Sequence, residues 1–242
     1  MATFIDRKNV DNNWRGGKQA DYFDGGGGND TIRGGAGNDR MYGGEGDDKL
    51  YGEDGNDDLY GGAGNDIVDG GSGGDDVWGD AGDDFLIGGS GIDALRGGLG
   101  ADTMTGGSDS WDEFTFTSFA DSSTGSSDTI TDYNTASGDL LLFVNMDANT
   151  TQSGWQVWEY VSAGAPSGSF PTNGNGQATI VFDGQYTVVT LYNNELNADG
   201  TANLDADFQL NLLGNYDPAA IQISVLDTQS VALHYGLIFP IG

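Results

Sequence analysis

Residues 25–105 read GGGGNDTIR, GGAGNDRMY, GGEGDDKLY, GEDGNDDLY, GGAGNDIVD, GGSGGDDVW, GDAGDDFLI, GGSGIDALR and GGLGADTMT, nine consecutive units of nine residues. The sixth residue of every unit is aspartate and the eighth is apolar. A weaker copy, GGKQADYFD, precedes them at residues 16–24. A solvated Gly/Asp-rich linker would not keep one register over nine copies. A collagen triple helix needs a period of three residues and proline. The repeats therefore predict a regular stacked structure.

Each unit divides into a turn and a short strand. Its first six residues are rich in Gly, Asn and Asp, which suit a tight turn with positive φ angles. Its last three residues alternate polar, apolar and polar, which is typical of a short strand with one inward side chain. Two units then form one coil of eighteen residues, and coils stack at about 4.8 Å. Ten units give five coils and a spine about 24 Å long.

Stacking brings the aspartate of one turn beside the aspartate of the turn eighteen residues later. Carboxylates that close repel each other unless a cation lies between them. The turns offer carboxylate and carbonyl oxygens without sulfur or imidazole, and this ligand set favours calcium over transition metals. The repeats therefore predict calcium sites between stacked turns.

The composition excludes several classes of function. The chain of 242 residues carries 38 acidic and 8 basic residues, a net charge of −30, which argues against nucleic acid and anionic membranes as partners. Every Lys and Arg lies at or before Arg96. The absence of cysteine excludes disulfides and thiolate metal sites. No apolar run reaches the ~18 residues of a membrane span. Residues 1–10, MATFIDRKNV, lack the apolar core of a signal peptide, so we expect any export to use another signal.

The repeats are flanked by irregular segments. Trp14 lies nine residues before Phe23, at the apolar position of a degenerate unit, where it could plug the open end of the stack. An exposed aromatic residue in a leader is the alternative. Residues 106–116, GGSDSWDEFTF, look like a last repeat with an insertion around Ser110 and Trp111.

The second half of the chain has a different composition, with less glycine and all four prolines. Asp183-Gly184 is a hairpin signal. No segment has a helical period. This half is predicted to be a β-sandwich or an extension of the solenoid, packed against the repeats. Alternating runs predict strands at Asp139–Phe143, Trp155–Val161, Ala178–Phe182, Tyr186–Tyr192 and Phe208–Leu213.

The array resembles the RTX family, secreted bacterial proteins whose nonapeptides form a calcium-loaded parallel β-roll. Residues 128–140, with DTITDY and GDL, and residues 197–210, with NADG and DFQL, are similar to the C-terminal domain of serralysin-type proteases. The resemblance implies an all-β chain, a β-roll of nonapeptide repeats followed by a β-rich C-terminal domain. We divide it into a leader or cap (1–15), the roll (16–116) and a C-terminal domain with a secretion signal (117–242).

The resemblance also implies six ligands for each calcium ion, and about six to eight ions in all. The carbonyls of positions two and four and the aspartate of one turn combine with the carbonyls of positions one and three and the aspartate of the turn eighteen residues later. The carboxylate ligands are Asp21, Asp30, Asp39, Asp48, Asp57, Asp66, Asp75, Asp84, Asp93 and Asp102. The carbonyl ligands are Gly17, Gly26, Gly28, Gly34, Gly35, Ala36, Gly37, Gly43, Gly44, Glu45, Gly46, Gly52, Glu53, Asp54, Gly55, Gly61, Gly62, Ala63, Gly64, Gly70, Gly71, Ser72, Gly73, Gly79, Asp80, Ala81, Gly82, Gly88, Ser90, Gly97 and Leu99.

Catalytic motifs are missing. The family's proteases carry an HExxH zinc helix, whereas this chain has a single histidine, His234. Residues 70–74, GGSGG, match the G-x-S-x-G elbow formally, but they lie in a repeat turn with no helix after it. No carboxylate pair suited to glycoside hydrolysis is singled out. We predict that the chain is not an enzyme.

Two functions fit these features. The favoured one is a secreted, extracellular or cell-surface calcium-binding protein with a structural or surface-interaction role, such as a matrix, sheath or filament subunit. The alternative is the C-terminal secretion and calcium-folding module of a larger RTX enzyme such as a protease or lipase. The resemblance implies the type I secretion machinery as a partner. Self-assembly, a cell-surface partner, or carbohydrate binding through Trp155, Trp158 and Tyr160 are further hypotheses.

Stacking also predicts an exposed aromatic column. The ninth positions of alternate units are Asp24, Tyr42, Tyr60, Trp78 and Arg96. The opposite sheet collects Ile67, Phe85 and Ile87. Because apolar patches on both faces are not expected of a roll that stands alone in water, we expect one to dock the second half and the other to contact a partner. Simple cross-strand stacking is the alternative.

Overall fold

The computed structural model describes residues 1–6, 8–107, 111–118, 120–123, 125–144, 159–160, 177–182, 185–192, 208–214 and 223–226. Within these ranges the chain is all-β and has no helix, and therefore none that could cross a membrane. The predictions for residues 155–158, 161, 183–184, 197–207 and 234 lie outside the described residues. The strands are β1 Thr3–Ile5, β2 Asn13–Arg15, β3 Tyr22–Asp24, β4 Thr31–Ala36, β5 Arg40–Glu45, β6 Lys49–Asp54, β7 Asp58–Ala63, β8 Ile67–Ser72, β9 Asp76–Ala81, β10 Phe85–Ser90, β11 Ala94–Leu99, β12 Thr103–Gly107, β13 Glu113–Phe116, β14 Asp128–Ile130, β15 Leu140–Val144, β16 Glu159–Tyr160, β17 Gln177–Phe182, β18 Tyr186–Tyr192, β19 Phe208–Leu213 and β20 Ile223–Leu226.

Successive repeat strands alternate between two sheets. One sheet has nine strands in the order β1-β3-β5-β7-β9-β11-β13-β15-β20. The other has eleven in the order β16-β17-β18-β19-β14-β12-β10-β8-β6-β4-β2. Neighbouring repeat strands are parallel and pair eighteen residues apart, for example Thr31 with Lys49 and Ile32 with Leu50. The predicted parallel β-roll with an eighteen-residue coil is confirmed.

The core between the sheets consists of the eighth residues of the units. Each of them faces inward from its strand, as Trp14 and Phe23 do before them, and the alternation of the strand turns the neighbouring side chains outward. The fully buried row is Phe23, Ile32, Met41, Leu50, Leu59, Val68, Val77, Leu86, Leu95 and Met104. Beyond the repeats the row continues with Phe114, Ile130 and Leu141.

The repeat strands are longer than predicted. Six-residue strands such as β4 include the last three residues of one unit and the first three of the next, where three-residue strands were expected. The reason is that stacked turns also pair across coils. Gly35 lies opposite Glu53, and the Gly37 N–H donates to the Asp54 carbonyl at 2.8 Å. Backbone pairing thus holds the turns as well as the strands in register.

The chain after residue 116 extends the same two sheets. β13 pairs with β11 and β15, and β14 pairs with β12 and β19, all in parallel. Strands β17, β18 and β19 then form an antiparallel extension. Of the two predicted arrangements, the described residues form the extension of the solenoid. Both sheets run across residue 116, and the division of the chain at that residue stays a prediction.

Aromatic side chains pack at the N-terminal end of the stack. Trp14 on β2 pairs in register with Ile32, as its spacing from Phe23 predicted. Phe4 stacks on Phe23 with ring centroids 4.7 Å apart, and Phe4 and Trp14 are partly buried against the core. The structure therefore supports the plug rather than the exposed leader residue.

Candidate metal centre

The aspartates of the repeats form two ladders, one along each edge of the roll. The N–H of each aspartate donates to Oδ1 of the aspartate one coil later. Asp48 N to Asp66 Oδ1 measures 2.7 Å, and Asp66 N to Asp84 Oδ1 measures 2.8 Å. One ladder contains Asp30, Asp48, Asp66, Asp84 and Asp102, and the other contains Asp21, Asp39, Asp57, Asp75 and Asp93.

The second carboxylate oxygen of these aspartates has no partner. From Asp30 to Asp102, each ladder aspartate is at most 3% exposed, and its Oδ2 has no hydrogen-bond partner within the described part of the chain. A buried ionised carboxylate without a counter-charge costs several kcal/mol, of order 5. Nine buried carboxylates of this kind in the two ladders are not compatible with a folded roll at neutral pH unless protons or cations neutralise them.

The titration behaviour reflects the same burial. Removal from water raises the pKa of Asp84 to about 8. It raises the pKa of Asp48 and of Asp75 to about 7. The same cause raises the pKa values of Asp57, Asp66, Asp93 and Asp102 to about 6. A bound cation would favour the ionised form and act against this shift.

Glycine at position one of the unit leaves open space in front of the free oxygen. A Cβ atom at Gly88 would lie 2.6 Å from Asp93 Oδ2 and 2.6 Å from the Gly106 carbonyl oxygen. A Cβ atom at Gly70 would lie 2.5 Å from Asp75 Oδ2 and 2.7 Å from the Gly88 carbonyl oxygen. A carboxylate oxygen of one coil and a carbonyl oxygen of the next therefore face the same space, which any other residue would fill.

Backbone carbonyls must complete any metal site here. In the described part of the chain, no three His, Cys, Asp or Glu side chains converge as metal ligands would. Between the turns of Asp30 and Asp48, the Gly28 N–H donates to the Glu45 carbonyl at 2.9 Å and the Glu45 N–H donates to the Gly26 carbonyl at 3.0 Å. Each of these carbonyl oxygens keeps a second lone pair. The structure thus stacks the predicted ligands, and the oxygen-only donor set fits calcium.

Two units have a side chain at position two instead of glycine. Glu53 and Asp80 both keep the positive φ of the glycines, 74° in each case. A non-glycine residue in this region costs about 1 kcal/mol or more. Glu53 forms an ion pair with Arg15 at 2.7 Å, whereas Asp80 is exposed. The turn geometry is retained in both units.

Asp21, at the N-terminal end, differs from the other ladder members. Its Oδ1 accepts a hydrogen bond from the Ala2 N–H, and its Oδ2 accepts one from the Gly17 N–H at 3.0 Å. The hydrogen bond from Ala2 is the main cause of a lowered pKa at Asp21. The protein itself satisfies this carboxylate.

The ladders include three aspartates that the repeat pattern did not identify. Asp93 N donates to Asp112 Oδ1 at 3.1 Å, Asp102 N to Asp128 Oδ1 at 2.9 Å, and Asp112 N to Asp139 Oδ1 at 3.1 Å. Their spacings are 19, 26 and 27 residues, so a strict period of eighteen misses them. One sequence signal could have found them, since an apolar residue follows each at the second position, as it does in every repeat.

Residues 70–74 have the conformation of a repeat turn. Ser72 is exposed and its hydroxyl donates to Asp54 Oδ1 at 3.2 Å. A nucleophilic elbow requires a strand, a sharp turn and a helix, whereas Ser72 ends a strand of the roll and is followed by β9. The turn interpretation is the one that the structure supports.

Comparison with known proteins identifies the array. A family model for the RTX calcium-binding nonapeptide repeat, four copies long, matches residues 15–50, 42–77 and 78–110. Residues 15–110 are RTX calcium-binding repeats. This array is thus a calcium-binding RTX module. The similarity of its later residues to serralysin-type C-terminal domains stays a prediction.

Two other comparisons add little on activity. The chain is similar to the solution structure of the AlgE6R3 subunit from the Azotobacter vinelandii mannuronan C5-epimerase, at 22% identity and a TM-score of 0.38, over 81% of this chain and 87% of that chain. Likeness of this degree carries no argument about function. No curated protein matches the chain.

Proposed function

We propose that this chain is a secreted calcium-binding RTX protein that folds when calcium binds outside the cell. In this proposal its role is structural or surface-binding rather than catalytic, as in a matrix, sheath or filament subunit. The observation that carries the proposal is the pair of ladders of buried aspartates, in which every member from Asp30 to Asp102 has one oxygen without a hydrogen-bond partner among the described residues. About six to eight ions, held by the predicted aspartates and carbonyls, would neutralise them.

The energetics support folding that depends on calcium. Each repeat strand buries only one apolar side chain, so the core of the array is narrow, with a single row from each of its two sheets. Ordering each backbone residue costs about 1–2 kcal/mol, and so narrow a core cannot offset that cost together with buried charge. Calcium binds only the folded turns and stabilises them by mass action. Extracellular sites bind calcium at roughly 10⁻⁴ to 10⁻³ M, far above cytosolic concentrations.

Secretion fits this dependence. A chain that is unfolded in a calcium-poor cytosol can pass through a narrow export channel and fold on arrival. The net charge of −30 opposes collapse of the metal-free chain before export. The type I secretion machinery is the partner that the family resemblance implies. The test of this part is whether the chain reaches the medium when expressed with that machinery and stays in the cell without it.

A calcium titration tests the folding claim. The far-ultraviolet circular dichroism of the full chain is measured in excess chelator and then with rising calcium, with magnesium as the control. We expect the β signal of the repeat array to appear only with calcium, since magnesium demands a tighter octahedral shell. An unchanged β spectrum in excess chelator contradicts calcium-dependent folding. Light scattering on the same samples shows whether calcium also drives assembly, as a filament or sheath subunit requires.

A further inference from the structure

One ladder extends into a turn that is not a repeat. Asp128 begins β14, which pairs in parallel with β12 so that Thr129 lies opposite Thr103 and Ile130 opposite Met104. Asp128 therefore stands one coil beyond Asp102, and its Oδ1 accepts the Asp102 N–H at 2.9 Å. Asp102 and Asp128 are 26 residues apart, whereas stacked repeat aspartates are 18 apart. The segment between them is therefore eight residues longer than a coil, and it does not follow the glycine repeat.

Both carboxylates at this position carry an unsatisfied oxygen. Asp128 is 0% exposed and Asp102 is 1% exposed. The Oδ2 atoms of both have no hydrogen-bond partner among the residues that the structure describes. No lysine or arginine follows Arg96 in the sequence, and neither aspartate is in an ion pair within the described ranges. The charge of this pair therefore has no counter-charge among the described residues.

The surroundings fix Asp128 without satisfying it. Its N–H donates to the Ser122 hydroxyl at 2.7 Å, where the N–H of a repeat aspartate would meet the next carboxylate. Ser122 is itself fully buried and donates to the Gln209 carbonyl at 2.5 Å. The Ser122 hydroxyl therefore ends the ladder in place of a further aspartate. The backbone N–H of Asp102 holds Oδ1 of Asp128, and Oδ2 has no partner among the described residues.

A third carboxylate, Asp121, adds negative charge, but protein donors already satisfy both of its oxygens. Asp121 is 3% exposed; one oxygen accepts the Thr117 N–H at 2.6 Å, and the other accepts the Ser118 hydroxyl at 2.7 Å. Asp121 thus increases the demand for a cation without offering it a free oxygen.

We propose that Asp102 and Asp128 bind one further calcium ion at this end of the roll, outside the residues that match the RTX repeat. Two carboxylates supply the oxygen ligands that hard cations prefer, and backbone carbonyls or water would complete the site. The inference rests on the proposed calcium-binding function of the repeats. It assigns the site to a non-repeat turn, and a count of repeats would therefore understate the number of ions.

The test is a calcium count on an isosteric variant. The Asp128→Asn substitution removes one charge and keeps the shape of the side chain. Equilibrium dialysis at saturating calcium is expected to show one ion fewer than the wild type. The matched control is Asp132→Asn, because both oxygens of Asp132 accept backbone N–H groups, from Gly106 at 2.9 Å and Gly107 at 2.8 Å. The control is expected to keep the wild-type count.

The outcomes separate this inference from the proposed function. A wild type that binds no calcium overturns both. A wild type that binds calcium, with an Asp66→Ala variant that loses ions and an Asp128→Asn variant that loses none, overturns the inference alone. The latter result would mean that Asp128 is a neutral, protonated carboxyl group that asparagine replaces.

A second measurement covers an Asp128→Asn variant that fails to fold in calcium. Crystals of the wild-type chain grown in calcium and soaked with terbium give an anomalous signal at each ion site. A peak between Asp102 and Asp128 supports the inference. Peaks beside Asp66 with none between Asp102 and Asp128 overturn it.

Discussion

The repeat array and its continuation, the described residues after 105, share two sheets. They differ in how their carboxylates are satisfied. In the array, Asp66 accepts one N–H from Asp48, and its second oxygen meets no donor among the described residues. In the continuation, Asp132 accepts the N–H groups of Gly106 and Gly107 with its two oxygens. A neighbouring carboxylate, Asp139, accepts the Asn134 N–H at 2.7 Å on one oxygen and the Ser137 hydroxyl at 2.8 Å on the other.

The composition of the turns accounts for this difference. The turns of the array consist mainly of glycine, asparagine and aspartate, and within the described residues they offer the second oxygens of Asp30 to Asp102 no hydroxyl or cationic donor. The turns after residue 116 contain Ser118, Ser122 and Ser137, whose hydroxyls donate to a carboxylate or a carbonyl. A buried carboxylate with protein donors is stable without a metal, whereas one without them depends on a cation. One solenoid can thus contain a metal-dependent and a metal-independent stretch.

Removal of calcium should produce the largest difference between the array and its continuation. We expect chelator to abolish amide hydrogen-exchange protection throughout residues 25–105, because each buried aspartate loses its counter-charge. Protection around residues 129–144, where Asp132 and Asp139 have protein donors, should fall less. Exchange followed by mass spectrometry on peptides from the two regions measures this. Equal loss in both would show that the continuation depends on the ions as much as the array does.

Single carboxylates should show the same contrast on a smaller scale. Asp66→Ala removes a ligand predicted to serve two stacked ions, shared with Asp48 and Asp84. The calcium count should fall by up to two, and the midpoint of the folding titration should rise. Asp132→Asn should lower the thermal stability while keeping the calcium count, since its partners are backbone N–H groups.

Asp21→Ala sharpens this test within the ladders themselves. Asp21 already accepts hydrogen bonds from Ala2 and Gly17, so its loss should affect calcium binding much less than the loss of Asp66. Isothermal titration calorimetry of the variants gives both the count and the affinity. Equal effects of the Asp66 and Asp21 substitutions would contradict the stacked-site interpretation.

Acid should replace part of the effect of calcium in the metal-free chain. Burial raises the pKa values of Asp48, Asp66 and Asp84 to about 7, 6 and 8, whereas an unfolded aspartate titrates near 3.9. A group with a raised folded-state pKa stabilises the fold below its unfolded pKa, and this contribution is lost as pH rises through the folded-state value. The metal-free array should therefore gain β structure as pH falls from about 8 to about 5.

Acid has the opposite effect on the contribution of Asp21 to stability and on the affinity for calcium. The lowered pKa of Asp21 stabilises the fold at higher pH and is lost as pH falls through that lowered value. Protons also compete with calcium for the ladder carboxylates, so calcium affinity should fall in acid. Circular dichroism in chelator at several pH values, kept above the isoelectric point near 4.1, measures the first effect. A metal-free spectrum that does not change with pH would contradict the raised pKa values.

The sequence predicts the array far better than the continuation, for a physical reason. A strict period fixes the register of Leu50 and Asp66, because shifting a strand by one residue would turn its apolar side chain outward. Asp128 has no such marker, since its spacing of 26 residues follows a loop rather than a coil. The alternation of residues 186–192 fits a sandwich and a solenoid equally, because both bury one face of a strand. Only the pairing of β14 with β19 distinguishes them.

The predicted aromatic column lies on one sheet of the array, and its last residue contacts the continuation. Tyr42 and Tyr60 stack with ring centroids 4.7 Å apart, and Tyr60 and Trp78 stack at 4.3 Å. The next residue of the column, Arg96, donates to the Thr117 hydroxyl at 2.5 Å. The sequence-based hypothesis had one of the two apolar patches dock the second half of the chain. The described strands after residue 116 instead lengthen the two sheets. The rings remain half-buried.

Replacing Tyr60 and Trp78 with serine should have the smallest effect of these changes. Each stacked aromatic pair contributes about 0.5–1.5 kcal/mol beyond its burial, so the loss of two pairs should lower the free energy of unfolding by about 1–3 kcal/mol. Phe85→Ser is the matched control: Phe85 lies on the opposite sheet, is 44% exposed, and has no stacked ring among the described residues. Thermal melting and light scattering in calcium separate the two roles of the column. Lost assembly with an unchanged melt would show that the column contacts another subunit. A lower melt with unchanged particle size would show that the rings only stiffen the roll, and the proposed contact would then have to lie elsewhere.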